Sequence, residues 1–345
     1  MGRDEFSCLV LQELYQAKDV WAELTIATQP DVHVGRRGSV LSVSPLKILA
    51  ESLNLPLHTI PKTRKEFRTW ELPRPFMQST DTESPPPANH LLVTASFGRI
   101  LTDKMLSQFQ PSHRLNVHPS LLPAYRGPAP LQHAIMNQDK ETGVCVIKML
   151  QKSEGIDAGS IWGCRKIDMP SDATYASLRD QLGTLGGQLL VSVLRDLLTG
   201  KAIPQEQITT IDAPKAPSIT AQDASVDFNS MSASQIDSRF RAISHQKTLF
   251  THLHGKSVQL RQIEVVDASL FPADLLPVEP GWVAFFKKKA MLVVRCADGS
   301  LLGVTLVRPE GKADRKAHEF WNAVLQDGHI KGPVKQFFFG QSAPS

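Results

Sequence analysis

Cysteine is scarce in this chain. Cys8, Cys145, Cys164 and Cys296 are the whole complement, and no two of them stand as CxxC. That spacing argues against a structural zinc site and against a disulfide framework, and makes a reducing compartment the default. No run of about 18 apolar residues exists, so no transmembrane helix is expected. No signal peptide is read. Met1-Gly2 opens as a myristoylation site does, but position 6 is Phe where that motif needs Ser or Thr. Asp4 and Glu5 follow at once, where an organelle transit peptide would be Arg-rich and acid-poor. Neither charge dominates: 38 Lys+Arg against 34 Asp+Glu leaves +4. That balance permits a polyanionic partner without demanding one. Internal repeats and low-complexity tracts are absent. Gly35-Arg36-Arg37-Gly38 is not followed by Gly-Lys-Ser/Thr, so it is no P-loop.

What is present describes a globular chain of two domains, since single cores stop growing before 345 residues. Helical spacing runs over 8–17, 45–53, 129–136 and 173–198, the last as one long helix or a kinked pair. Strand patterns fall at 21–27, 57–60 and 143–149, and 91–95 (LLVTA) is a continuous apolar run that suits a buried parallel strand. Residues 80–88 read as a solvated loop. Strand and helix alternate, which argues for an open, mostly parallel, doubly wound α/β sheet over residues 1–200. Pro204, Pro214 and Pro217 mark a linker over 201–225. From 226 to 345 the pattern changes to a short helix at 234–243, short strands at 258–266, 281–286, 290–295 and 301–307, and a helix at 317–325. That is a small β-rich domain, read as a barrel.

The chemistry concentrates in 116–130 (NVHPSLLPAYRGPAP) and 155–159 (GIDAG). A strand that stops at Pro119 puts Asn116 and His118 on one face, because side chains two apart align. An amide there can donate to a carbonyl oxygen, an imidazole can move protons, and Asp157 can fix the imidazole or take a proton. That set suits acyl transfer to an amine. The plainer reading stands beside it: Asn116 caps a turn, His118 is a satisfied core group and Asp157 is a turn residue. Pro119, Pro123, Pro128 and Pro130 with Gly127 make a stiff irregular loop of the kind that shapes sites. Arg126 within it either binds an anion or ties the loop down. Arg36 and Arg37, and the triple Lys287-Lys288-Lys289, are solvated charge or phosphate contacts. Gly183, Gly186 and Gly187 read as close helix packing, and His245, His252 and His254 as surface residues.

These motifs resemble the methionyl-tRNA formyltransferases. The family's Asn-x-His-x-Ser-Leu-Leu-Pro-x-x-Arg-Gly-x-x-Pro matches Asn116 to Pro130, and Gly155-Ile156-Asp157-Ala158-Gly159 matches its later loop. Gly35-Arg36 and Ser44-Pro45-Leu46-Lys47 look like its basic loop and following helix, Ser96-Phe97-Gly98 like its folate-side segment with Phe for Tyr, and Arg308-Pro309-Glu310-Gly311-Lys312 like its C-terminal signature. The resemblance implies a Rossmann-like formyltransferase domain followed by an OB-like barrel. It implies 10-formyltetrahydrofolate as co-substrate, no metal, methionyl-tRNA as acceptor and a monomer. Asn116, His118 and Asp157 would be catalytic. Arg36, Arg37, Phe97, Gly98, Ser120, Leu121, Leu122, Pro123, Arg126 and Gly127 would bind substrate. A eukaryotic member would sit in the mitochondrial matrix, a bacterial one in the cytoplasm. Three departures accompany the match. The family's opening strand is not found ahead of Gly2-Arg3-Asp4-Glu5-Phe6, which predicts an unpaired gap in the sheet. The basic loop carries an extra Arg, and Ser160 stands where the family often has Asp. The alternatives are another acceptor for the same folate chemistry, or an inactive truncated product.

Overall fold

A computed structural model describes the chain except residues 36–37, 78–84, 209–211, 273–277, 328–335 and 341–345. The chain forms two compact units, Met1–Leu131 with Lys140–Ser218, and Gln132–Asp139 with Ile219–Ser345.

The first unit alternates helix and strand: α1 (Glu5–Gln16), β1 (Ile26–Thr28), β2 (Val32–Val34), β3 (Val40–Ser42), α2 (Pro45–Ser52), β4 (Leu57–Thr59), α3 (Arg64–Thr69), β5 (Leu92–Ala95), α4 (Asp103–Leu106), β6 (Arg114–His118), the start of α5 (Pro130–Met136), β7 (Glu141–Lys148), β8 (Ile161–Asp168) and α6 (Tyr175–Leu198). Strand β4 pairs with β1, and β5, β6, β7 and β8 follow one another across a second run. Gly2 bridges the two runs, lying parallel to both Thr28 and Ala95. The slot where a gap was expected therefore holds Met1 and Gly2. The Gly2 N–H donates to the Ala27 carbonyl at 3.3 Å, and the Ala95 N–H donates to the Met1 carbonyl at 3.0 Å. The flanks are three residues in β1 and four in β5, and Gly2 bridges them at Thr28 and Ala95. The chain then turns straight into α1, capped by Asp4, whose side chain accepts from the Ser7 N–H. Burial raises the Asp4 pKa above the usual carboxylate value.

The sheet is mostly parallel, as expected; β7 alone runs against its neighbours β6 and β8. Its two faces have separate jobs. Val117, Val146 and Gly163 stand opposite one another on one face. There α6 packs so closely that a Cβ on Gly186 would lie 2.8 Å from Val117 and one on Gly187 would lie 2.7 Å from Glu13 of α1. The α6 glycines thus serve packing, and α6 is one unbroken helix capped by the Thr174 side chain. The other face carries Asn116 opposite Ile147, and His118 opposite Cys145 opposite Cys164. Residues 205–207 and 214–216, within the Pro-rich stretch, pair onto this same unit. Gln205 bridges Ile161, and Lys215 bridges Arg126.

The second unit adds α7 (Ala233–Ile243), β9 (Phe250–Leu253), β10 (Lys256–Val266), β11 (Trp282–Phe286), β12 (Met291–Arg295), β13 (Leu301–Pro309), β14 (Arg315–Lys316), α8 (Ala317–Gln326) and β15 (Phe337–Phe338). The antiparallel order is β15-β11-β12-β13-β10-β9, with β14 also on β13. The Gly340 N–H donates to the His252 carbonyl at 2.9 Å. This bond ties the β15 end to the β9 end, so the sheet is a nearly closed barrel, which removes most of its open edge. Leu292 and Val294 of β12 stand opposite Val304 and Leu302 of β13 on one face, all fully buried, while Val293 on the other face of β12 is buried with Val266, Phe271 and Leu301.

Candidate active site

Strand β6 ends at His118, and the loop that follows folds back over the face bearing Asn116 and His118. Ligands of open α/β sheets bind beyond the carboxyl ends of the parallel strands, and both residues stand at that end of β6. The Thr94 hydroxyl on β5 donates to Asn116 Oδ1 at 2.7 Å. With its oxygen engaged, the amide turns its N–H₂ the other way, where Nδ2 donates to Asp157 Oδ1 at 3.4 Å. His118 is 5% exposed, and its Nε2 lies 3.0 Å from the Tyr125 carbonyl. A carbonyl only accepts, so Nε2 carries the hydrogen and, in the neutral ring, Nδ1 keeps its lone pair. Nδ1 lies 3.8 Å from Asp157 Oδ2. The Tyr125 carbonyl thus sets the ring's tautomer.

Asp157 sits in the loop after β7 with φ +55, a left-handed conformation that Asp tolerates better than most residues. Its Oδ2 accepts from the Gly127 N–H at 3.0 Å. Gly127 has φ +127, and a Cβ there would lie 2.5 Å from the Ala216 carbonyl oxygen. Only glycine brings that N–H to the carboxylate without displacing backbone.

The structure sorts the remaining expected residues by role. Ser120 is buried and donates to the Ala124 carbonyl at 2.7 Å, so it braces the loop. Leu121 lies against Gly143, and Leu122, followed by a cis peptide to Pro123, packs with Cys145 and Ile147. Arg126 ties the loop down: its Nε and Nη2 donate to Gln207 Oε1 at 3.0 and 2.6 Å. The Phe97 ring is in the core beside Ile60, Phe67 and Leu101, and its carbonyl accepts from Gln29 Nε2. Gly98 is exposed at the carboxyl end of β5. Arg36 and Arg37 lie outside the described residues, between β2 and β3.

Three contributors were missed in the sequence. Thr94 looked like part of an apolar strand, although its register opposite Asn116 carries the clue. The Tyr125 carbonyl has no side-chain signal at all. Gln207 donates from Nε2 to the Asp157 and Gly159 carbonyls, both at 2.8 Å, while its Oε1 holds Arg126. It lies in the stretch read as a linker, so nothing in its neighbours marked it. Among the described residues, no group of three or more His, Cys, Asp or Glu is placed to hold a metal.

Comparison with known proteins bears on the family of the chain. Residues 23–194 match the formyl transferase family model, and residues 218–325 match the formyl transferase C-terminal domain. A methionyl-tRNA formyltransferase of Listeria monocytogenes is 33% identical over 93% of this chain and 93% of its own length. One from Enterococcus faecalis is 31% identical over 97% of this chain and 98% of its own length. In fold, the chain resembles WlaRD, a sugar 3N-formyl transferase, with TM-score 0.58 at 15% identity over 90% of this chain and 97% of that one. These relatives are bacterial and lend no support to a mitochondrial placement. Among the described residues no helix is long and apolar enough to cross a membrane. A chain that aligns with such relatives almost end to end, with both domain models in order, belongs to the methionyl-tRNA formyltransferases of the formyl transferase family.

Proposed function

We propose that this chain moves a formyl group from 10-formyltetrahydrofolate to the α-amine of methionyl-tRNA. The observation that carries the reading is the convergence of Asn116, His118 and Asp157 on one face of the sheet. Relatives sharing about a third of their residues bear the matching name.

The residues fit a formyl carbonyl. Thr94 occupies the acceptor end of the Asn116 amide, which leaves its donor end for an oxygen. A second Nδ2 hydrogen, beyond the one aimed at Asp157, stabilises the negative charge that grows on the formyl oxygen. The amine bonds to the formyl carbon and the bond to the folate nitrogen breaks. Along the way the amine loses one proton and the folate nitrogen gains one. An amine attacks only when neutral, so a base beside it matters near neutral pH. His118 Nδ1, with its lone pair toward the site, takes that role, and the Asp157 carboxylate at 3.8 Å stabilises the ring once it is charged. The Phe97-Gly98 turn offers backbone groups to the folate at the end of β5, whereas the Phe97 ring is committed to the core.

The tRNA is held by charge. Lys287, Lys288 and Lys289 stand exposed in the β11–β12 turn. Arg308 is already paired with Asp314 at 2.6 Å, so the turn is the stronger candidate for phosphate contact. Arg36 and Arg37 between β2 and β3 are the candidates at the acceptor end.

The test is formylation of methionyl-tRNA by the purified chain with 10-formyltetrahydrofolate, beside Asn116→Ala and Asp157→Ala. Activity that collapses in both variants supports the assignment. A parent that formylates another amine and leaves methionyl-tRNA untouched overturns it.

A further inference from the structure

Cys145 and Cys164 stand directly opposite each other on the antiparallel strands β7 and β8. Directly opposite residues have Cα atoms about 4.5–5.5 Å apart, inside the span a disulfide bridges. Their sulfurs are already 3.5 Å apart, with the Cys145 S–H directed at Cys164. A bond of about 2.05 Å needs roughly 1.5 Å of further approach. The two thiols differ in access. Cys145 is buried with Leu122, Ile147 and Ile161, and Cys164 is exposed. On its other side Cys145 pairs in register with His118.

We propose that Cys145 and Cys164 form a thiol–disulfide exchange site that takes small-molecule disulfides, with Cys164 attacking and Cys145 resolving. The inference rests on the sheet alone and is independent of the acceptor assigned to the enzyme. In the first step the Cys164 thiolate bonds to one sulfur of a disulfide such as oxidised glutathione. The glutathione S–S bond breaks, and one glutathione leaves as a thiolate that takes up a proton. In the second step Cys145 loses its proton and bonds to Cys164 Sγ, and the second glutathione leaves with a proton. Two protein thiols are oxidised by two electrons and one glutathione disulfide is reduced to two thiols.

The electrostatics suit that division of labour. The Cys145 S–H donating to Cys164 lowers the Cys164 pKa to about 7, with the Arg165 charge adding to the effect. The same contact and burial push Cys145 upward, so it keeps its proton until the mixed disulfide forms. Burial holds Cys8 and Cys296 at about 12, which makes them internal controls.

The folded full-length protein is incubated with oxidised glutathione at neutral pH, quenched with N-ethylmaleimide before unfolding, and mapped by peptide mass. The expected product is a 145–164 crosslink, 2 mass units lighter than the dithiol, reversed by dithiothreitol, with Cys8 and Cys296 still alkylated as thiols. Cys145→Ala should stop at glutathione on Cys164, and Cys164→Ala should take up none. A stable glutathione adduct on Cys164 in the parent, with Cys145 left as a thiol, would overturn the proposal. So would maleimide on Cys164 after oxidation, or a crosslink seen only when the protein is unfolded first. The parent chain decides the matter by itself if either variant folds poorly.

Discussion

Replacing Thr94 by Val tests whether the Asn116 amide is oriented by the strand beside it. Val keeps the shape of the buried side chain and deletes only the hydroxyl that donates to Asn116 Oδ1 at 2.7 Å. The net worth of such a bond is about 1 kcal/mol, and leaving a partly buried acceptor without its donor brings the loss to about 1–2 kcal/mol. If that energy is what holds the amide N–H₂ toward the formyl oxygen, kcat falls about 5- to 30-fold. Asn116→Ala, which removes the donor altogether, should cost about 100- to 1,000-fold. The assay is single-turnover formylation at saturating substrate, with KM measured alongside. The decisive comparison is the double variant. Once Asn116 is Ala there is no amide to orient, so Thr94→Val should add nothing. A Thr94→Val enzyme at the parent rate would refute the reasoning, and so would a loss that multiplies undiminished in the Asn116→Ala background.

Other consequences of the geometry are as direct. Gly127→Ala forces a Cβ to 2.5 Å from the Ala216 carbonyl oxygen at φ +127. The strain of about 1–3 kcal/mol should lower Tm by about 2–12 °C in thermal unfolding, and kcat should fall as the N–H leaves Asp157. Gln207→Ala removes four hydrogen bonds among Arg126, Asp157 and Gly159, and kcat/KM should drop about 10- to 100-fold, with faster amide hydrogen exchange over 155–159 as the accompanying sign. Alkylation of Cys164 should follow its thiolate. Because the Cys145 S–H holds its pKa down at about 7, the rate rises with pH through a midpoint near that value. In Cys145→Ala the midpoint should move up toward the ordinary thiol value of about 8.5. Raised KCl should weaken methionyl-tRNA binding steeply if Lys287, Lys288 and Lys289 meet phosphates, and neutralising all three should flatten that salt dependence.

Much of the fold was legible because it rests on patterns local in the chain. The apolar run at 91–95 became β5, the alternation at 143–149 became β7, and the four strands read in the second unit became β10 to β13, while β9, β14 and β15 were not read. The strand β8 escaped notice. Its residues are half-buried or exposed, so no apolar run announces it. The hairpin of β2 and β3 was too short to register. Where a gap in the sheet was expected, Met1 and Gly2 bond to both β1 and β5.

The sequence by itself determined the reaction class and singled out the residues proposed to carry it. Asn116 and His118 are two apart on a strand halted by Pro119, and that spacing alone puts both side chains on one face. Asp157, 39 residues beyond His118, was reachable from its glycine-flanked loop and the family motif. How these groups are aimed was decided by the tertiary structure. Thr94 orients the amide, the Tyr125 carbonyl sets the histidine tautomer, and Gly127 and Gln207 hold Asp157 and its loop. Each of these contacts joins residues distant in the chain through backbone groups or plain polar side chains. A carbonyl has no identity in a sequence, and a Thr in an apolar strand or a Gln in a Pro-rich stretch gains its role only from the neighbour that folding supplies. The same holds for Cys145 and Cys164. Nineteen residues apart, they looked like isolated thiols, and only the β7–β8 register set them face to face.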